Sequence, residues 1–233
     1  MNARRYFIPA MAVLTALLLV RALHAVFLEA PREKTMGDVQ RIFYFHVPSA
    51  WVALLAFFIC FVASIAYLAT RSPRWDWAAV SAAEIGVVFT TVVLVTGPIW
   101  ARPVWGIWWT WDARLTSTLV MFLIYIGYLL LRDYVTDPTR RANLAAVFGV
   151  IAFVDAPIVY MSIRWWRTQH PQPVIAGGPG AGLDPAMWRV FLMALAALLS
   201  LFVLLFATRY RLEQQRAELE SLRQRARRLS PED

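Results

Sequence analysis

Only three histidines occur in the chain, His24, His46 and His170. An imidazole nitrogen can carry a proton or hold a metal ion. His46 lies in FYFHVPSAW and His170 in RWWRTQHPQP, each beside an apolar run rather than within one. Between them in sequence stands WGIWWTWDARLT, residues 105–116, where Trp105, Trp108, Trp109 and Trp111 fall within seven positions and Asp112 follows at once. Indole is broad, flat and largely apolar, so several together can form a shelf for a flat ligand. Arg102 and Arg114 bracket the stretch, and guanidinium groups pair with carboxylates through two parallel hydrogen bonds. Such groups could together hold a flat molecule that carries both a metal and carboxylates. That chemistry requires a fold that brings separate segments to one place.

The composition points to a membrane fold. Of 233 residues, 60% are apolar and 16% charged, against about a quarter charged in soluble domains, and the mean hydropathy is +0.54. A helix crossing a bilayer needs about 20 mostly apolar residues. Six such runs occur, at about 7–28, 48–70, 79–100, 115–132, 142–164 and 187–208. We therefore expect an all-α integral membrane protein of six transmembrane helices. Residues 1–208 would form the membrane domain, including outer loops 29–47, 101–114 and 165–186, and 209–233 a basic helical tail. The opening MNARRYFIPAMAVLTALLLV has the basic start and apolar core of a signal peptide. Its apolar character continues past Arg21 to Leu28 without a small-residue cleavage site, which favours an uncleaved first crossing with Arg21 snorkelling to an interface. The single Cys60 lies inside the second run. It has no internal partner, and this argues against thiol redox chemistry.

Charge sets the expected orientation. With both termini inside, inner segments carry 14 of the Lys and Arg residues and outer segments nine, as the positive-inside rule requires. The net charge of +8 is then explained by basic loops beside anionic lipid, with no need for nucleic acid. In the tail, Leu212, Leu219, Leu222, Ala226 and Leu229 form a short heptad-like stripe on a charged helix. It could pack on a partner, lie on the inner membrane surface or remain a solvated helix.

Sorting residues by side gathers the chemistry. Trp51, Trp100, Trp105, Trp108, Trp109, Trp111, Trp165, Trp166 and Trp188 fall on the outer side, and only Trp75 and Trp77 on the inner. An interfacial belt would populate both sides. All three histidines fall on or near the outer side. His24 by itself reads as an interfacial histidine with a satisfied hydrogen bond. His46 and His170 sit at outer helix ends, which a bundle brings together. Imidazoles are common axial ligands of haem iron. A porphyrin suits an indole shelf, and its propionates suit Arg102, Arg114, Arg41 and Lys34. Two histidines flanking that shelf therefore point to haem. At helical spacing, Trp105, Trp108, Trp109 and Asp112 would share one face, with Gly106 allowing close approach. Asp112 would hold Arg114 or cap the next helix, where Thr116 and Ser117 also stand.

Other features carry less. GGPGAGLD at 177–184 lacks the Gly-Lys-Ser/Thr of a phosphate loop and reads as a flexible outer loop. Glu84 and Asp155 lie within apolar runs, where a carboxylate is a functional candidate. Asp155 precedes Pro157 and could instead bond backbone groups that the proline frees. A membrane b-type cytochrome subunit of a redox complex would need histidines at mid-membrane, and none is there. A small-molecule transporter would need internal repeats and broken midplane helices; Pro98 and Pro157 interrupt helices, but no convincing repeat accompanies them.

The stretch WGIWWTWDARLT resembles the WWD signature of the haem-handling membrane proteins of cytochrome c maturation. With six apolar runs, FYFHVPSAW and WWRTQH, the chain from about 36 to 208 resembles the haem exporter protein C (CcmC) family within them. Gln169 stands where that pattern leads one to expect an apolar residue. The resemblance implies a haem-transfer protein of the bacterial inner membrane rather than an enzyme. Such a protein would hold haem b at the periplasmic face on the WWD loop, with His46 and His170 as axial ligands. It implies delivery to a membrane-anchored haem chaperone, with assistance to covalent attachment there. It also implies partnership with an ABC-type ATPase complex, a second membrane subunit and a small membrane subunit.

Overall fold

The computed structural model describes residues 3–171 and 182–229, and these are helical apart from short connections and one isolated bridge between Glu33 and Gly37. Seven α-helices follow one another: α1 (Ala3–His24), α2 (Phe43–Thr70), α3 (Pro73–Trp105), α4 (Ala113–Tyr134), α5 (Pro138–Ala152), α6 (Asp155–Trp165) and α7 (Pro185–Leu229). A π-turn, Ala25–Glu29, prolongs α1, and a 3-10 turn, Asp38–Ile42, leads into α2. Six segments are long and apolar enough to cross a membrane, the fifth formed by α5 and α6 together. These crossings match the six apolar runs. Alternation places the connections around 30–42 and 106–112 and the segment 166–171 on one face of the bundle, called here the tryptophan face. The connections at 71–72 and 135–137 lie on the opposite face.

Local chemistry fixes the helix ends. Ser72 precedes Pro73, the first residue of α3, and Asp137 accepts the Arg140 N–H at 2.6 Å beside Pro138. Proline suits a first helical turn, where its missing N–H would have no partner anyway. The fifth crossing breaks at Phe153–Val154, and Asp155 opens α6 beyond the break. Asp155 has not found the freed backbone: its Oδ2 is buried without a hydrogen-bond partner among the described residues. The tail is not a separate element, since α7 runs unbroken through 209 to Leu229. Its Leu212, Leu219 and Leu222 are exposed.

The α2–α3 hairpin is the centre of the bundle, with α4, α5 and α7 packed around it, while α1 packs chiefly on α7. Small residues let the hairpin close: Ala53, Ala56, Cys60 and Ala63 on α2 meet Ala79, Ala82 and Ala83 on α3 in one buried cluster. With lipid outside, close packing of this kind holds membrane helices together. At Gly86 the approach is tightest, because a Cβ there would lie 2.3 Å from Phe57 Cε1. Phe57 in turn stacks on Tyr125, ring centroids 3.7 Å apart. Two ion pairs pin the opposite half. Arg132 on α4 clasps Asp76 on α3 through both carboxylate oxygens, at 2.5 and 2.9 Å. Arg209 on α7 donates to Glu84 on α3 and to Glu213. Glu84, a candidate functional carboxylate by sequence, is thus a helix-to-helix tie.

Candidate functional site

His46 lies in the first turn of α2 and is half-buried. Its Nδ1 is 2.9 Å from Thr96 Oγ1 on α3. The Thr96 hydroxyl already donates to the Val92 carbonyl at 2.7 Å. A hydroxyl has one proton to give, so the hydrogen in the His46–Thr96 bond belongs to His46. Nδ1 is therefore protonated, and the Nε2 lone pair has no partner among the described residues. His170, also half-buried, reaches the same state by another route. Its Nδ1 donates to the Pro171 carbonyl at 3.0 Å, and a carbonyl can only accept. Burial of the ring, and next the Arg114 charge, hold His170 below the ordinary histidine pKa, against the opposing pull of the Pro171 carbonyl and Asp112. At neutral pH it is an uncharged imidazole whose Nε2 has no partner among the described residues, the form that ligates metals. His46 lies within electrostatic reach of His170, and both lie within reach of Arg114. The fold thus joins the two segments across 124 positions of sequence.

The tryptophan segment is not a helix. α3 ends at Trp105 because Gly106 takes a left-handed conformation, φ +80°, and returns its N–H to the Arg102 carbonyl at 3.0 Å. That is a glycine helix stop. A Cβ at Gly106 would meet nothing within 4 Å, so the glycine serves the turn rather than a close approach. Residues 106–112 are irregular, and α4 begins after Asp112. The expectation that Trp105, Trp108, Trp109 and Asp112 share one helical face therefore fails. The rings stand in perpendicular pairs instead: Trp105 against Trp100, centroids 5.1 Å apart, and Trp109 against Trp111 at 5.7 Å. Trp108 and Trp111 are exposed, at 58% and 75%, while Trp105 and Trp109 are half-buried. Trp109 Nε1 is buried without a partner among the described residues. Trp51 and Trp188 are different in kind, for both pack on the buried Phe191.

Asp112 organises the loop. Its Oδ1 accepts the N–H groups of Arg114 and Leu115, at 2.9 and 3.1 Å, and its Oδ2 accepts the Thr110 hydroxyl at 2.9 Å. Burial alone would raise its pKa, but the Leu115 N–H, the Thr110 and Thr168 hydroxyls and the Arg114 N–H outweigh it and hold the carboxyl below its ordinary value. The expected cap is present. Thr168, whose hydroxyl is near enough to help hold the Asp112 carboxyl down, accepts the His170 N–H at 3.1 Å, so the tryptophan segment and the His170 segment adjoin at Asp112. Arg114 reaches α6, donating to the Val159 carbonyl at 2.5 Å. Arg102 is exposed and donates to the Gly106 carbonyl.

Four of the nine candidates, His46, His170, Asp112 and Arg114, are thus connected by contact or charge, with the tryptophans on the segment that Asp112 anchors. His24 stands apart, bonded through Nδ1 to Glu29 at 3.0 Å, beside the Arg21–Glu29 pair. Gln169 is exposed, so its departure from the expected apolar residue falls in an unpacked position. Most of GGPGAGLD, residues 177–181, lies outside the described residues. Thr96, Thr110 and Thr168 were missed by sequence reasoning. Threonine is common at helix ends and along apolar helices, and only the fold shows which threonines meet a histidine or Asp112.

Comparison with known proteins adds a direct likeness. The family described as Heme exporter protein C (CcmC) matches residues 1–225. The Heme exporter protein C of Bradyrhizobium diazoefficiens is 39% identical over 201 residues, covering 86% of this chain and 74% of its own. That of Rhodobacter capsulatus is 33% identical over 221 residues, covering 94% and 91%. A putative cytochrome c biosynthesis ccmC-like mitochondrial protein of Marchantia polymorpha is 40% identical over 141 residues, covering 60% and 59%. The family match passes through the six crossings and both histidine-bearing segments, and we conclude that the chain belongs to the haem exporter protein C family of multi-pass bacterial inner-membrane proteins.

Proposed function

We propose that this protein holds haem b on its tryptophan face, facing the periplasm, and delivers it for cytochrome c maturation. His46 and His170 supply the axial nitrogens. Trp105, Trp108, Trp109 and Trp111 form the apolar wall against the porphyrin. Arg102 and Arg114 meet the propionates, and the unpartnered Trp109 N–H provides a further donor. Asp112 serves this site through the backbone and Thr168 rather than by touching propionates, which share its charge. The observation that carries the reading is the matched state of the two imidazoles: each donates its Nδ1–H in a hydrogen bond, and neither Nε2 has a partner among the described residues. Family membership names the cargo, since the relatives are called heme exporters. Holding haem between two side chains and a shelf requires no bond-making by the protein, so we assign transfer rather than enzymatic catalysis. The recipient is a membrane-anchored haem chaperone. The accompanying machinery is an ABC-type ATPase complex with a second and a small membrane subunit.

The test is an absorption spectrum of the purified protein loaded with haemin. The intact protein should show a six-coordinate, low-spin spectrum that acid–organic extraction abolishes, as expected for non-covalent haem b. His46→Ala and His170→Ala should each lose the low-spin bands. Unchanged bands in both variants would overturn the ligand assignment. The outward orientation is tested with Trp111→Cys in a Cys60→Ala background, which should react with a membrane-impermeant maleimide in intact spheroplasts.

A further inference from the structure

Three threonines of α3 make the same local bond. Thr90, Thr91 and Thr96 each donate their hydroxyl to the carbonyl four residues earlier, at 2.8, 2.9 and 2.7 Å. Among the described residues only Thr96 also accepts a bond, from the imidazole of His46. The first bond determines the second. With its one proton committed to Val92, the Thr96 oxygen presents lone pairs, and only the Nδ1–H tautomer of His46 satisfies them. The next residue completes the fit: a Cβ at Gly97 would lie 3.4 Å from His46 Cε1. The α3 backbone thus lies beside Cε1, the carbon between the two ring nitrogens, which limits how far the ring can turn, and among the described residues Nε2 has no hydrogen-bond partner.

We propose that Thr96 is a positioning residue for His46: it selects the tautomer and fixes the ring orientation that present Nε2 to haem iron. The proposal rests on the reading of His46 as an axial ligand. An acceptor on the distal N–H fixes the orientation of a metal-bound imidazole and raises its basicity. Stronger donation favours ferric over ferrous haem, so the hydroxyl holds the reduction potential down. The two histidines differ in this respect. His170 gives its proton to a main-chain carbonyl that no substitution removes, whereas the control on His46 resides in one replaceable side chain.

The experiment uses the full-length protein in detergent or nanodiscs, loaded with haemin. It compares Thr96→Val, Thr96→Ser, Thr91→Val and His46→Ala by redox titration, low-spin electron paramagnetic resonance and haemin dissociation. Thr96→Val should raise the midpoint potential, shift the low-spin signal and weaken haemin binding by about 10-fold or more. Thr96→Ser should restore all three readings. Thr91→Val removes the same kind of helix bond without touching a histidine and should leave them unchanged, which controls for a purely structural effect. A Thr96→Val protein with the parent's potential, signal and affinity would overturn the proposal, as would a Thr96→Ser protein as impaired as the valine variant. If His46→Ala alone alters the spectrum, the ligand assignment stands and the threonine proposal falls. If His46→Ala changes nothing, both fall together.

Discussion

At the scale of single residues, Asp112 does its work by bonds within the protein. Three backbone or hydroxyl donors converge on its carboxylate, and the Thr168 hydroxyl of the His170 segment lies near enough to help hold it ionised. Removing such a cap costs about 1 kcal/mol. Asp112→Ala should therefore lower the thermal midpoint and loosen haemin binding, while Asp112→Asn, which keeps the acceptor oxygen, should retain most of both. The pH dependence follows from the sign of the shift. A carboxyl held below its ordinary 3.8 contributes stability that is complete above that value and declines as pH falls through it toward the lowered one. Tryptophan fluorescence should report loosening of the segment only in that acid window, and the Asp112→Asn protein should lack this titration. His46, His170 and the four tryptophans were legible in the sequence because such residues are scarce and lay on one side of the crossings. Thr96 was not, since its meaning lies in a second bond made across the bundle.

At the scale of elements, two glycines decide where helices stop and how closely they pack. Gly106→Ala places a Cβ-bearing residue at φ +80°, a conformation that costs about 1 kcal/mol or more. The end of α3 should shift with it, and haemin affinity should fall further than thermal stability. Gly86→Ala drives a methyl into Phe57, whose ring cannot retreat because it is fully buried and stacked on Tyr125. Overpacking of this kind costs about 1–3 kcal/mol. The variant should unfold at lower temperature, and Gly86→Ala with Phe57→Leu should recover part of the loss; a Gly86→Ala protein as stable as its parent would remove the close-packing argument for the hairpin. Hydropathy located all six crossings, because lipid imposes length and apolarity on each. The helical-face reading of the tryptophans failed where Gly106 was treated as room for a ligand instead of a stop. The break ahead of Asp155 was only hinted at by Pro157.

At the scale of the whole molecule, the site gathers on one face and the buried Arg132–Asp76 clamp holds the other. Breaking a buried pair on one side leaves an uncompensated charge and costs about 3–5 kcal/mol. Arg132→Met should therefore destabilise the protein severely, whereas Asp76→Leu with Arg132→Met should unfold near the parent temperature and bind haemin normally. The convergence of three loops on one face was legible, because an even number of crossings alternates. Their atomic contacts depend on packing that no single segment encodes. α7 joins the two faces. Its 45 residues make a rod of about 68 Å at 1.5 Å per residue, more than twice a bilayer core of about 30 Å. From Ala186 to Leu229 it contains neither glycine nor proline, so it has no joint at which a displacement would be absorbed. In sequence it follows the segment that carries His170, and at that length its far end projects well beyond the opposite side of the bundle. A torque or thrust applied to that free end arrives at the other as motion of the same rigid shaft.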